Sequence, residues 1–167
     1  MNFPKDLQND LKINMKKPYT IVLNSTTKNS GGSNTFATYS FDWNILPDQP
    51  YKVYFQFVAT DHHTYNAGSN APAAQIVIEL GQSTNTFATV ANRQCANTSI
   101  YLGSLRKAVS SGNNFYLYAN KNDNPPIYIT GHPTNNNFLV AVLTDQGLGY
   151  DSSSLVSYIL TLYFEPV

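Results

Sequence analysis

With one cysteine, Cys95, the chain cannot form an internal disulfide, so it does not belong with the small secreted folds stapled by cystines. Charge is scarce as well. Asp, Glu, Lys and Arg together supply 12% of the 167 residues, against about a quarter in an ordinary globular chain. The 10 basic and 10 acidic residues cancel, and no basic block is longer than Lys16-Lys17. That removes the electrostatic basis for gripping a nucleic-acid backbone. No apolar run approaches the roughly 20 residues of a membrane-crossing helix, so no membrane span is expected. A phosphate-cradling glycine loop, a Gly-x-Ser-x-Gly elbow and a paired-cysteine zinc spacing are all missing. The chain is therefore expected to be no enzyme and to carry no cofactor or metal. Its first residues lack the basic-then-apolar order of a signal peptide, which predicts synthesis in the cytoplasm with Cys95 reduced. Without export, the acceptor patterns at Asn24-Ser25-Thr26 and Asn97-Thr98-Ser99 are chance matches in an Asn-rich chain.

What the chain has instead is aromatic rings and uncharged polar groups. Aromatic residues reach 13%, chiefly 12 Tyr and 9 Phe. Asn, Ser and Thr supply the surface polarity, and their side chains compete for backbone hydrogen bonds, favouring turns between short strands over helices. A chain of this length buries roughly 70% of its unfolded surface, enough for one domain with a two-layer core. An all-β fold is expected.

Strand segments follow one another at intervals of about ten residues, the spacing of a sandwich. They are expected at 19–25, 36–43, 51–60, 74–81, 99–105, 115–119, 138–144 and 156–164, with 127–130 either a continuation of the 115–119 strand or a strand of its own and a short extra strand at 86–91. In 51–60, Tyr51, Val53, Phe55 and Phe57 share one face and Lys52, Tyr54, Gln56 and Val58 the other. In 74–81, Ile76, Ile78 and Leu80 alternate against Gln75, Val77 and Glu79. Pro47 and Pro50 remove ladder donors and stop the second strand. Between Tyr158 and Phe164 both faces are apolar, which predicts a strand covered on both sides. Tyr39-Ser40-Phe41-Asp42-Trp43 is its expected counterpart. Eight main strands make a single antiparallel jelly-roll β-sandwich over residues 18–167.

Residues 1–17 read differently. Phe3, Leu7, Leu11 and Met15 recur every fourth residue, with Pro4 suited to a first helical turn and charges off the stripe. The segment is expected to be a short arm whose stripe contacts a partner.

Few residues could carry chemistry. Asp61-His62-His63, with His132 as a distant third ligand, is the one cluster of metal-capable side chains, and neighbours on an extended chain point apart, so a contact-making loop is the expectation. Cys95 with a distant His is a description any such chain meets. Trp43 and the tyrosines could stack on sugar rings in a lectin-like module, but core packing accounts for them more simply.

Five segments carry a resemblance. They are Tyr19 to Thr27; Tyr39 to Trp43 leading through Leu46-Pro47 to Tyr51-Lys52-Val53-Tyr54-Phe55; Ile76 to Gly81; Pro125-Pro126-Ile127-Tyr128-Ile129 before His132-Pro133-Thr134; and the ending Ile159 to Val167. In this order the chain resembles the single jelly-roll minor capsid and penton proteins of large double-stranded DNA viruses of algae and protists, and of virophages. The resemblance implies a structural component of the virion capsid, made in the host cytoplasm. Implied partners are the major capsid protein capsomers and other minor capsid proteins, with a homopentamer if the chain is a penton. On this reading, removing residues 1–17 leaves the sandwich folded and weakens incorporation into particles, and Leu7→Asp with Leu11→Asp acts alike because charge opposes burial of the stripe. Melting curves of the isolated chain and its yield in particles check both; a truncated chain that unfolds on its own refutes the arm.

Overall fold

The computed structural model describes residues 17–30, 32–61, 74–80, 100–111, 114–144, 149–150 and 155–167. All of the predicted arm over residues 1–17 except Lys17, the extra strand at 86–91, His62, His63 and Cys95 lie outside them. The fold is all-β, with no α-helix among the described residues. Its strands are β1 (Tyr19–Asn24), β2 (Phe36–Ser40), β3 (Tyr51–Asp61), β4 (Ala74–Ile78), β5 (Ile100–Ser111), β6 (Asn114–Ala119), β7 (Ile127–Ile129), β8 (Asn137–Thr144) and β9 (Leu155–Pro166). They form one antiparallel, curled sheet in the order β1-β9-β3-β6-β5-β4-β8-β2, with β7 beside β3 below the end of β6.

The curl comes from β5. Its first half pairs with β4, and from Arg106 onward it pairs with β6, so one strand passes from one half of the sheet to the other. Gly103 sits at a register shift in that strand, next to the extra residue Leu102. A Cβ at Gly103 would lie 2.8 Å from Phe55 Cε1 and collide with the Asn124 amide, so only glycine fits where the two layers approach. The same amide takes the place of a neighbouring strand. Ser104 N donates to Asn124 Oδ1 at 3.0 Å, and Asn124 Nδ2 donates to Ser104 O at 3.1 Å.

Strand periodicity puts the core between the two halves. Tyr51, Val53, Phe55, Phe57 and Ala59 of β3 and Tyr158, Leu160, Leu162 and Phe164 of β9 point inward, meeting Ala37, Tyr39, Ile76, Ile78, Phe138, Val140 and Val142 from the other half. Trp43 is fully buried among them, with its ring 5.2 Å from that of Phe138 and 5.7 Å from that of Phe164. Its Nε1 donates to Asn135 O at 3.1 Å, so burying the indole leaves no orphan donor. The predicted strand 36–43 stops at Ser40. Asp42 instead caps a 3₁₀ turn, Trp43–Ile45, by accepting from Asn44 N at 3.1 Å, which swings the indole inward.

Two expectations about strand coverage change. β9 is flanked in the sheet by β1 and β3, but its outer face is open: Ile159 is exposed, and Thr161 and Tyr163 are half-buried. The strand buried on both faces is β8. Its Ala141 and Leu143 join Val77, a residue the alternation of β4 assigned to the polar side, in a second cluster ringed by Phe36, Tyr101 and Leu139. An apolar run gives periodicity but cannot say which face finds a cover.

The halves are also joined by polar groups. Tyr39 OH donates to Tyr158 OH at 2.8 Å in the core, and Tyr158 N donates to the buried Ser25 Oγ at 3.0 Å. Burial pushes the phenol of Tyr158 far above the ordinary tyrosine range, reinforced by the bond from Tyr39, and burial raises Tyr39 as well. The unfolded chain therefore loses these protons first, so the stability they contribute is complete below about pH 10 and declines as pH rises above it. Tyr158→Phe should cost about 1–3 kcal/mol at neutral pH, since Tyr39 keeps a buried donor without its acceptor. The variant should also flatten the alkaline decline. Denaturant midpoints measured from neutral to strongly alkaline pH test both, and an unchanged alkaline slope would count against the coupled pair.

Candidate interaction surface

The outer face of β1, β9, β3 and β6 is built by the residues that strand alternation turns away from the core. Antiparallel register sets them in rows across the sheet. One row runs Asn24, Ile159, Val58, Tyr118, Arg106; the next holds Ser157, Thr60 and Tyr116. On the other side lie Val22, Thr161 and Gln56, then Thr20, Tyr163 and Tyr54, then Glu165, Lys52 and Tyr128.

These rows divide the face into two regions. Near the start of β9 it is apolar: Val58 is 44% exposed, Ile159 42% and Tyr116 42%. Val58 and Ile159 stand at the rim of an open hollow of about 270 Å³, lined also by Asn24, Thr26, Thr60 and Ser157. Single exposed apolar side chains are ordinary, and these neighbouring ones beside a polar rim make this face the candidate interaction surface.

Toward the end of β9 the face is aromatic and tethered. Lys121, in the turn after β6, places its ammonium 4.8 Å from the ring centre of Tyr163 and 5.1 Å from that of Tyr54, and pairs with Glu165. Tyr163 OH donates to Gln56 Oε1 at 3.0 Å. Asp123 shapes the turn by accepting from Asn120 N at 2.9 Å, and its other oxygen lies 3.6 Å from Arg106. Lys52 stands 5.8 Å from the centre of the Tyr128 ring. The rings are held in place by these contacts, so covering this face would cost little further side-chain entropy.

The residues singled out from sequence fall elsewhere. Phe3, Leu7, Leu11 and Met15 lie outside the described residues, as do His62 and His63. His132 donates from Nδ1 to the carbonyl of Pro133 at 2.8 Å. Among the described residues no three His, Cys, Asp or Glu side chains come together as a metal site. Trp43 is in the core and cannot stack on a sugar without unfolding the turn that holds it. Val22, Val58, Ile159 and Tyr116 were not singled out, although the alternation in β3 already set Val58 opposite the core-facing residues. The missing signal was register, because only the pairing of strands far apart in sequence brings Val58 beside Ile159. No protein-family model matches the chain, and no curated protein matches it either.

Lys121→Ala should cost about 1 kcal/mol in chemical denaturation, the sum of two partly exposed cation–π contacts and one solvent-screened ion pair. Lys52→Ala, with a single longer contact, should cost less. Equal effects from the two would refute the tether.

Proposed function

We propose that this chain is a jelly-roll structural subunit of an icosahedral viral capsid, a minor capsid or penton component that works through protein–protein contacts and catalyses nothing. The strand order carries the reading. The half β1-β9-β3-β6 faces the half β2-β8-β4-β5 across the core, with β7 beside β3, and this order supports a jelly roll, a fold that capsid proteins share with lectins and other binding domains. Fold alone does not choose among these, and the outer face supports a role in protein contact. Its exposed Val58, Ile159 and Tyr116, its fixed tyrosines and the low charge of the whole chain suit burial against another protein, since few ions need be stripped of water. A sugar-binding reading has lost its tryptophan platform to the core.

Particles assembled with the chain present should retain it at fixed stoichiometry through washes with free sugars. Val58→Asp with Ile159→Asp should sharply reduce that incorporation while the isolated chain keeps its melting temperature, because both side chains already face water. Saturable sugar binding by a chain that never enters particles would overturn the proposal in favour of a lectin.

A further inference from the structure

The strand order ends at β1 on one side and at β2 on the other, and these two edges are finished differently. The β2 edge is occupied: Asn29 N donates to Thr38 O at 2.8 Å, Asn29 Nδ2 donates to Ser40 Oγ at 3.1 Å, and Gly32 packs so closely that a Cβ there would lie 2.8 Å from Phe36 O. The loop that follows β1 thus lies along β2 and takes up the carbonyl of Thr38 at the middle of that edge. At the other end of the sheet, Thr20, Ile21, Val22 and Leu23 of β1 pair only with β9 among the described residues. Alternate residues of a strand present both N–H and C=O to the same side, so this edge offers a row of donors and acceptors that no backbone group among the described residues takes up.

Edges left open in soluble proteins usually carry a lysine, a proline or a bulge that spoils pairing. Tyr19–Asn24 contains none of these, its register with β9 is unbroken, and it has no charged residue. Val22, at its middle, is 60% exposed and is the next residue in a row with Thr161 and Gln56. An incoming strand would therefore meet a β-branched side chain and an uncharged ladder.

We propose that β1 pairs edge to edge with β1 of a second copy of this chain. The segment suits itself as a partner. In an antiparallel pair about a two-fold axis through Val22, Val22 stands opposite its copy, Ile21 opposite Leu23, and Thr20 opposite Asn24. Inner residues then meet inner residues and outer meet outer, so the two cores and the two outer faces each continue across the junction. No charge opposes a like charge in that register. Five residues of each strand, Thr20 to Asn24, pair in this register and bury less than the roughly 1,200 Å² of a stable standard interface, so the pair is a weak, concentration-dependent contact that gains strength only where copies are already held together. This pairing stands apart from the capsid reading and needs no particle.

A full-length chain with Cys95→Ser and Val22→Cys tests it. Under mild oxidation at high protein concentration it should form a disulfide-linked dimer, whereas Thr38→Cys in the same background, on the occupied β2 edge, should remain monomeric. In the unmodified chain, sedimentation equilibrium should show a monomer–dimer exchange that Val22→Lys abolishes, with the circular dichroism spectrum and melting temperature unchanged, because like charges would then face each other across the pair. Three results would overturn the proposal: a purely monomeric chain at every concentration, equal cross-linking of the two cysteine variants, or a dimer that Val22→Lys leaves intact. A chain that dimerises but never enters particles would support the edge pairing and reject the capsid role, and the reverse result would separate them the other way.

Discussion

The structure depends on the meeting of β9 with β2 and the turn after it across the main core. β9 is laddered to β3 over eleven residue pairs and to β1 over six, so its inward side chains are held in fixed register. Tyr158 and Phe164 then receive Tyr39 and Trp43 from the opposite half, one through a hydroxyl pair and the other through ring packing. Truncating a buried ring of this kind typically costs about 3–5 kcal/mol, a large part of the stability of a whole domain. β5 joins the two halves of the curl through the chain, and this contact joins them through the core.

The two outer faces differ because only one of them is covered. On β8 and β4, Ala141, Leu143 and Val77 are buried, so that side is spent on the fold itself. On β9 and β3 the matching positions hold Ile159 and Val58, which remain in water. Apolar area left exposed on a rigid sheet gains about 25 cal/mol per Å² when another surface removes it from water. Beside it, Lys121 fixes Tyr54 and Tyr163 without adding an unpaired charge, since Glu165 answers the ammonium. A protein so poor in ions can bury such a face with little desolvation cost, which is the physical case for a subunit that acts by contact.

Much of this was legible in the sequence. Alternation in Tyr51 to Val58 gave β3 both of its faces, the prolines at 47 and 50 marked the break before it, and the apolar ending located β9. Other features were hidden. Trp43 read as the end of a strand because its own backbone preference is extended, and it takes a 3₁₀ turn only because Asp42 caps it. β5 read as ending near Leu105, since Arg106 and Lys107 break the apolar pattern; it runs on because β6 offers a second ladder on the far side of the bulge at Gly103.

Local chemistry alone decided the class of fold, the strand positions and the side of β3 that enters the core, because a period of two and the turn residues act over a few positions. Tertiary structure alone decided which apolar face stays open. Ile159 and Leu143 are alike as residues in apolar strands, and nothing near either in the chain distinguishes them. One is exposed and the other buried because coverage depends on what the distant chain lays over each strand.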